Sequence, residues 1–378
     1  MNSPSRVIYF SRDYSSHDQR FLTSLSKTDY DVYYLRLENK KNINIEKSLP
    51  ENIIILPELL QDNEFRLRKT PEVIKSLKSV LRETRPDIIH AGPIHSCAFL
   101  VALTKYHSLI SMSWGSDMLV ESEKDIFFRL ITWYTLKRTS LFLGDCEAVK
   151  NKAIKFGYPE KRIVIFPWGI NLNIFKPGRN SLIRQKLGWD EQFVLLSLRS
   201  WEKIYGVEVV AKAFVKAAKI EPDLRLFLLG SGSYKDLIKK IIHGAGVEDR
   251  VSFPGVIDQE DLPSYYQTAD LYLSASFSDG SSVSLMEALG SGLPVLVSDI
   301  VGNKEWINSG ENGWLFRTGD EEDLAKKIID IYHRRSTFPQ IGEKARETAE
   351  QKANWDNNFL KLLSAYRIVL DSNEFLEG

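Results

Sequence analysis

Short apolar runs alternate along the chain with longer segments whose apolar positions recur at helical spacing, the pattern that βα units on a parallel sheet produce. In the first half the runs Val7–Phe10, Val32–Leu37, Ile53–Leu56, Ile88–His90, Ile110–Ser113, Leu141–Leu143 and Ile163–Phe166 are expected as strands. Between them lie amphipathic segments such as Pro71–Thr84, with Val73, Ile74, Leu77, Val80 and Leu81 on one face. The turn-rich stretch Pro167–Gly178 reads as a linker. A second series of strands follows at Val194–Leu198, Leu224–Leu229, Val251–Phe253, Leu271–Ser274 and Pro294–Ser298. Helices at Val207–Lys219, Tyr234–Ile242 and Ser284–Leu289 separate them, and a polar helical tail runs from Glu321. The expected architecture is α/β: two Rossmann-like domains with parallel sheets facing a central cleft. The expected boundaries are 1–170, 171–352 and a closing helix, 353–378, that folds back on the first domain.

Length agrees with this division, since 378 residues exceed what one core usually serves. Lysine plus arginine balances aspartate plus glutamate at 50 each, so no global field recruits nucleic acid. Cys97 and Cys146 lack metal-site spacing and are expected to be small buried groups in a reducing cytosol. Met1 to Pro4 leads straight into the run Arg6–Phe10, without the pattern of a secretory leader. The longest apolar stretch, Ile126 to Leu143, contains Arg129, Lys137 and Arg138, so no membrane span is expected. A cytoplasmic protein, at most peripheral at the inner face of the plasma membrane, is the expectation.

The passage from Ser278 to Asp299 carries most of the candidate chemistry. A strand ends near Ser274, a small-residue loop holds Asp279 and Gly280, and a helix opens near Ser282. The backbone N–H groups of Gly280, Ser281, Ser282, Val283 and Ser284 at that opening suit a diphosphate. Asp279 lies in the loop and Glu287 on the helix, so one carboxylate can reach sugar hydroxyls and the other the ribose of one nucleotide sugar. The plainer reading makes Asp279 a helix cap and Glu287 a solvated residue. Arg199, at the end of the run Val194–Leu198, can grip phosphate oxygens. Gly230-Ser-Gly232 lacks the spaced glycines of a dinucleotide fold and reads as a tight turn. The Asp-x-Asp, Asp29-Tyr-Asp31, precedes a strand instead of following one, so no metal site and no cofactor are expected.

Asp279…Glu287-Ala-Leu-Gly-Ser-Gly-Leu-Pro294-Val resembles glycosyltransferase family 4, the retaining transferases of the GT-B fold, which carry two acidic residues at this separation. Gly302-Asn-Lys-Glu305, Glu311-Asn-Gly313, Gly230-Ser-Gly232, Phe253-Pro-Gly255-Val and Pro167-Trp-Gly-Ile-Asn171 are similar to further blocks of that family. The resemblance implies metal-free transfer from a nucleoside diphosphate sugar, UDP-hexose by default, to a glycan or lipid-linked acceptor. It makes Asp279 and Arg199 catalytic, assigns ribose to Glu287, and puts the base near Gly255 and Val256 beside Gly230. The family's lysine stands just before the glycine, a place held here by Tyr205; Lys203 either does its work or is a surface residue.

The loop after the first strand lacks the family's glycine pair. Arg12, Asp13, His17 and Arg20 there either bind acceptor and phosphates or are solvated. Where many relatives carry a histidine, this chain has Trp114, so Asp117 is expected to contact sugar or acceptor; His90 and His95 are further candidates. Arg66, Arg68, Lys69, Lys75, Lys78, Arg82 and Arg85 surround Pro71–Thr84. They read either as a solvated face or as contact with an anionic membrane. The departures motivate one alternative, a non-catalytic nucleotide-sugar-binding subunit; a nucleotide-sugar epimerase on the same fold is the alternative among enzymes.

Overall fold

The computed structural model describes residues 4–39, 49–60 and 65–377. Residues 1–3, on which part of the leader reading rests, lie outside them. The chain divides into unit 1, Met1–Phe166 with Asn357–Gly378, and unit 2, Pro167–Asp356.

Unit 1 holds β1 (Arg6–Ser11), β2 (Asp31–Arg36), β3 (Ile54–Ile55), β4 (Ile88–Ala91), β5 (Leu109–Met112), β6 (Leu141–Gly144) and β7 (Ile163–Ile165). All pair in parallel, in the order β3-β2-β1-β4-β5-β6-β7. Its helices are α1 (Ser16–Leu25), α2 (Thr70–Thr84), α3 (Phe99–Thr104), α4 (Ser116–Leu119), α5 (Ile126–Arg138) and α6 (Glu147–Lys155). Ser15 and Asp18 form a reciprocal capping box that starts α1. The apolar stripe Val73, Leu77 and Leu81 of α2 joins a core with Ile8, Phe10, Ile89, Leu100 and Phe142, because residues facing the same way on parallel strands share one layer.

Unit 2 repeats the plan. It comprises α7 (Leu182–Leu187), β8 (Phe193–Ser197), α8 (Val207–Ile220), β9 (Leu224–Leu229), α9 (Lys235–Gly244), β10 (Val251–Gly255), α10 (Leu262–Thr268) and β11 (Leu271–Ser274). Then come α11 (Val283–Gly290), β12 (Val295–Ser298), α12 (Val301–Lys304), β13 (Trp314–Phe316), α13 (Glu321–His333) and α14 (Phe338–Lys352). The parallel order is β10-β9-β8-β11-β12-β13. Strand β13 is absent from the sequence expectations; Trp314–Phe316 is a three-residue segment that pairs in parallel with β12. The stretch expected as a linker is part of the unit 2 core instead. Ile170 and Phe175 are buried with Leu289 and Ala353, and Ile170 N–H donates to the Ala353 carbonyl at 2.7 Å.

The last helix, α15 (Trp355–Glu377), belongs to unit 1 from Asn357 onward. Its Tyr366 hydroxyl lies 2.8 Å from His90 Nδ1. His90 of β4 is fully buried beside Tyr9 of β1, with Phe21 of α1 and Tyr366 closing the cage. This histidine is therefore structural, as is His95, whose Nε2 lies 2.7 Å from the Thr132 hydroxyl.

Burial pulls the His90 imidazole down to about 3, so it is neutral in the fold, whereas in the unfolded chain it protonates near pH 6.5. Stability it contributes is therefore present above pH 6.5 and is lost as pH falls towards 3. Urea unfolding of wild type and His90→Gln should diverge in pH dependence by about 1.4 kcal/mol per pH unit below pH 6. Parallel pH dependences would show that the folded protein protonates His90 as readily as the unfolded one.

Candidate active site

In a doubly wound parallel sheet, a crevice opens outside the strand C-termini where the strand order reverses. In unit 2 that point lies between β8 and β11. The loop leaving β8 carries Arg199, and the loop leaving β11 carries Asp279.

Arg199 Nη2 lies 2.7 Å from Asp279 Oδ2. Its Nη1 donates to Ser282 Oγ at 2.9 Å and to Ser284 Oγ at 3.2 Å. The guanidinium also stacks 4.2 Å from the Tyr205 ring centroid. Burial works against the cation, but Asp279 and the surrounding tyrosines more than compensate and hold the guanidinium protonated. Burial raises the Asp279 carboxyl from its ordinary value, against the pull of Arg199, Gly280 N–H and Ser282. The short separation makes this an ion pair in which the cation is secure and the carboxylate is the more easily neutralised member. Arg199 Nε is buried and makes no hydrogen bond, and Asp279 Oδ2 meets Nη2 as a charge contact without hydrogen-bond alignment. The two side chains nevertheless keep 14% and 19% of their surface exposed, which is where a ligand can reach them.

The α11 opening is built as expected: Ser282 is its N-cap position and Asp279 stands ahead of it. Asp279 is thus not the cap. Ser281, Ser282 and Ser284 are buried, with Ser281 Oγ accepting from Trp306 Nε1 at 3.4 Å. Glu287 is not a solvated helix residue; it is only 4% exposed and accepts from the Tyr266 hydroxyl at 2.8 Å. Two glycines make the loops fit. Gly206 has φ +59°, and a Cβ there would lie 2.2 Å from the Ala275 carbonyl oxygen. At Gly302 a Cβ would lie 2.5 Å from the Gly280 carbonyl oxygen and 2.6 Å from that of Asp279. Gly230 N–H donates to the Gly255 carbonyl at 2.7 Å, joining the β9 and β10 ends, and Val256 just beyond is exposed. Lys203 is exposed on the turn before Gly206, while Tyr205, in the place of the family lysine, covers Arg199.

In unit 1 the order reverses between β1 and β4, and Arg12, Asp13 and His17 follow β1. Arg12 Nε lies 2.8 Å from Glu38 Oε1. Asp13 Oδ1 accepts from Tyr14 N–H at 2.8 Å, a local turn bond. The His17 ring lies 5.3 Å from that of Trp114, bringing together two residues that sequence reasoning treated separately. Asp117 corrects its expectation. It is 3% exposed; Oδ2 accepts from Ile94 N–H and Oδ1 from Ser113 Oγ, Trp114 N–H and Met118 N–H. Both oxygens tie the loops after β4 and β5 together, so the residue contacts protein where a sugar contact was expected.

Among the described residues no group of three or more His, Cys, Asp or Glu side chains is arranged to hold a metal ion. No helix among them is long and apolar enough to cross a membrane.

Two family models match the chain, "Glycosyl transferase 4-like" over residues 6–145 and "Glycosyl transferases group 1" over residues 180–348. The chain belongs to the family-4-like glycosyltransferases of the GT-B type. It is an enzyme of the hexosyltransferase class. Similar proteins include the N-acetyl-alpha-D-glucosaminyl L-malate synthase of Bacillus anthracis, 23% identical over 317 residues and 81% of each chain. The sulfoquinovosyl transferase SQD2 of Arabidopsis thaliana is 26% identical over 304 residues, 76% of this chain and 57% of that protein. In fold, the chain is similar to Anabaena HepE in complex with UDP-glucose: TM-score 0.80 at 17% identity, over 98% of this chain and 99% of that one.

Within this glycosyltransferase, Tyr205, Tyr266 and Tyr272 are site residues that sequence reasoning missed. Tyr205 was visible as the residue displacing the family lysine. Tyr266 and Tyr272, whose hydroxyl lies 2.8 Å from Ser284 Oγ, carried no signal because α10 and β11 meet α11 only in the fold. Tyr266→Phe would remove the donor to Glu287 and should lower unfolding free energy by about 1–3 kcal/mol. Tyr265→Phe, whose ring is only partly buried, serves as control. Equal unfolding curves for wild type and Tyr266→Phe would show that the bond to Glu287 adds nothing to stability.

Proposed function

We propose that this glycosyltransferase moves a hexosyl group from UDP to a glycan or lipid-linked acceptor with retention of anomeric configuration and without a metal. The observation that carries the reading is Arg199: a largely buried guanidinium at the β8/β11 switch point whose side chain keeps 14% of its surface open to a ligand. A diphosphate is the anion such a fork suits, and the α11 amides from Gly280 to Ser284 complete the cradle. Gly230, Gly255 and Val256 are assigned to the nucleobase side, and Glu287, anchored by Tyr266, to the ribose hydroxyls. Asp279 is assigned to the transferred sugar. Arg12, Asp13 and His17 are proposed to contact acceptor or phosphate, and Lys203 to serve as a secondary phosphate contact. Complexes of HepE with UDP, and with UDP and glucose, support a nucleotide-sugar donor.

In the proposed reaction the bond from the anomeric carbon to the diphosphate oxygen breaks while the acceptor hydroxyl attacks on the same face. The departing phosphate oxygen takes the acceptor proton, leaving UDP and the new glycoside. Arg199 and the α11 amides stabilise charge gathering on the leaving diphosphate. Asp279 already holds Arg199 through charge, so donor binding exchanges this carboxylate contact for phosphate and frees Asp279 for the sugar. A cytoplasmic site of action is part of this proposal, with peripheral contact to an anionic membrane.

Glu287→Ala should weaken both UDP and UDP-sugar binding by roughly 10- to 100-fold in calorimetry, the loss expected for one charge-assisted bond. Asp279→Ala should not weaken free UDP, because it releases Arg199, yet should lower transfer sharply. Equal losses of UDP affinity in the two variants would remove the proposed division of the ligand. Donor turnover should also persist in excess EDTA; abolition by EDTA with rescue by Mg²⁺ would overturn metal-free transfer. Conversion of the sugar without release of UDP would instead identify an epimerase.

A further inference from the structure

Helix α5 carries large apolar side chains on its outer face as well as on its inner one. It buries Thr132 and Thr135 together with Ile131 and Leu136. Its outer face exposes Ile126 at 70%, Phe127 at 45%, Leu130 at 57% and Trp133 at 48%. These positions recur at the spacing of one helical face. A contiguous apolar face of this kind on a folded protein marks a surface that something else covers.

The charges beside it indicate what. From Ile126 to Arg138 the helix has no acidic residue, but it has Arg129, Lys137 and Arg138. Lys137 Nζ sits over the Trp133 ring at 4.9 Å from the centroid. The acids just before the helix are engaged: Glu121 lies 3.2 Å from His95, Glu123 pairs with Lys152 at 2.7 Å, and Asp125 caps α5 through Phe128 N–H. Adjoining the face is a pocket of about 250 Å³ whose lining includes Trp133, Phe156 and the two cations Lys137 and Arg162. The chain as a whole is electroneutral, so this basic character is local. A second copy docking face to face would set Arg129 and Lys137 against their own kind. An anionic lipid surface instead meets the apolar side chains with acyl chains and the cations with headgroup phosphates.

We propose that the α5 face is a docking surface for an anionic lipid bilayer. This goes beyond the proposed function by assigning membrane contact to a surface other than the basic α2, where Lys75, Lys78 and Arg82 line a separate pocket of about 380 Å³ with Thr104 and Tyr106. Helix α3 packs against both α2 and α5, so the two surfaces belong to one helical layer of unit 1.

The test is flotation of the full chain with vesicles of phosphatidylcholine alone or with roughly one-third phosphatidylglycerol. No donor or acceptor is needed, so its result stands apart from any result on sugar transfer. Wild type should partition onto the anionic vesicles. Leu130→Glu/Trp133→Glu should lose at least about tenfold of that partition with an unchanged melting temperature; Ile126→Ser/Leu130→Ser should lose it in the same direction and covers the case where the charged variant misfolds. Arg129→Gln/Lys137→Gln should reduce the difference between the two vesicle types. The proposal fails if wild type binds neither vesicle, if the α5 variants float like wild type, or if only Lys75→Glu/Lys78→Glu/Arg82→Glu loses binding. It also fails if sedimentation shows a dimer that Leu130→Glu/Trp133→Glu dissociates while no vesicle binding is found.

Discussion

The unit 2 site is organised around one largely buried cation, Arg199. A guanidinium withdrawn from water must be met by counter-charge and hydrogen-bond acceptors, and Arg199 finds them on three elements. Asp279 comes from the loop after β11, Ser282 and Ser284 from the start of α11, and Tyr205 from the turn before α8. Two glycines let those segments come close enough. Gly206 lets the turn close on the end of β11, and Gly302 lets α12 press on the Asp279–Gly280 backbone. Because the cation is not saturated, the same arrangement that stabilises it also leaves it able to exchange a carboxylate contact for a phosphate one.

Unit 1 uses polar side chains in a different way. Asp117, His90 and His95 all have the chemistry of a reaction site, and all are occupied with holding the fold. Asp117 joins two loops through backbone and hydroxyl donors, and His90 sits in an aromatic cage closed by Tyr366 from the far end of the chain. Residues with the same side chains thus separate into structural and available groups according to burial and partners. The clearest departure from packing economy in this unit is α5, where Phe127 and Trp133 stay exposed while Thr132 and Thr135 are buried beside Ile131 and Leu136.

The two parallel sheets were legible in the hydrophobic pattern, since strands buried on both faces are short apolar runs that stand out from the amphipathic helices between them. Twelve of the expected strands coincide with β1 to β12 to within a residue or two at their ends. The motif Asp279…Glu287 likewise revealed a loop and helix start of the right kind, because helix entry is specified locally by small residues and turn geometry. Strand β13 escaped because its existence depends on hydrogen bonds to β12, which no local periodicity encodes.

The amino-acid order alone therefore determined the alternation of elements, the balance of charge and the family to which the chain is similar. What it left open were questions of distance. Whether Asp279 caps a helix or pairs with Arg199, whether Glu287 is solvated or buried against Tyr266, and what stands over Arg199 where a lysine was expected all depend on segments far apart in the chain. Those segments meet only when parallel strands bring their C-terminal ends side by side. Burial, which converts a charged side chain into a group that must be partnered, is a property of that packing and not of any residue by itself.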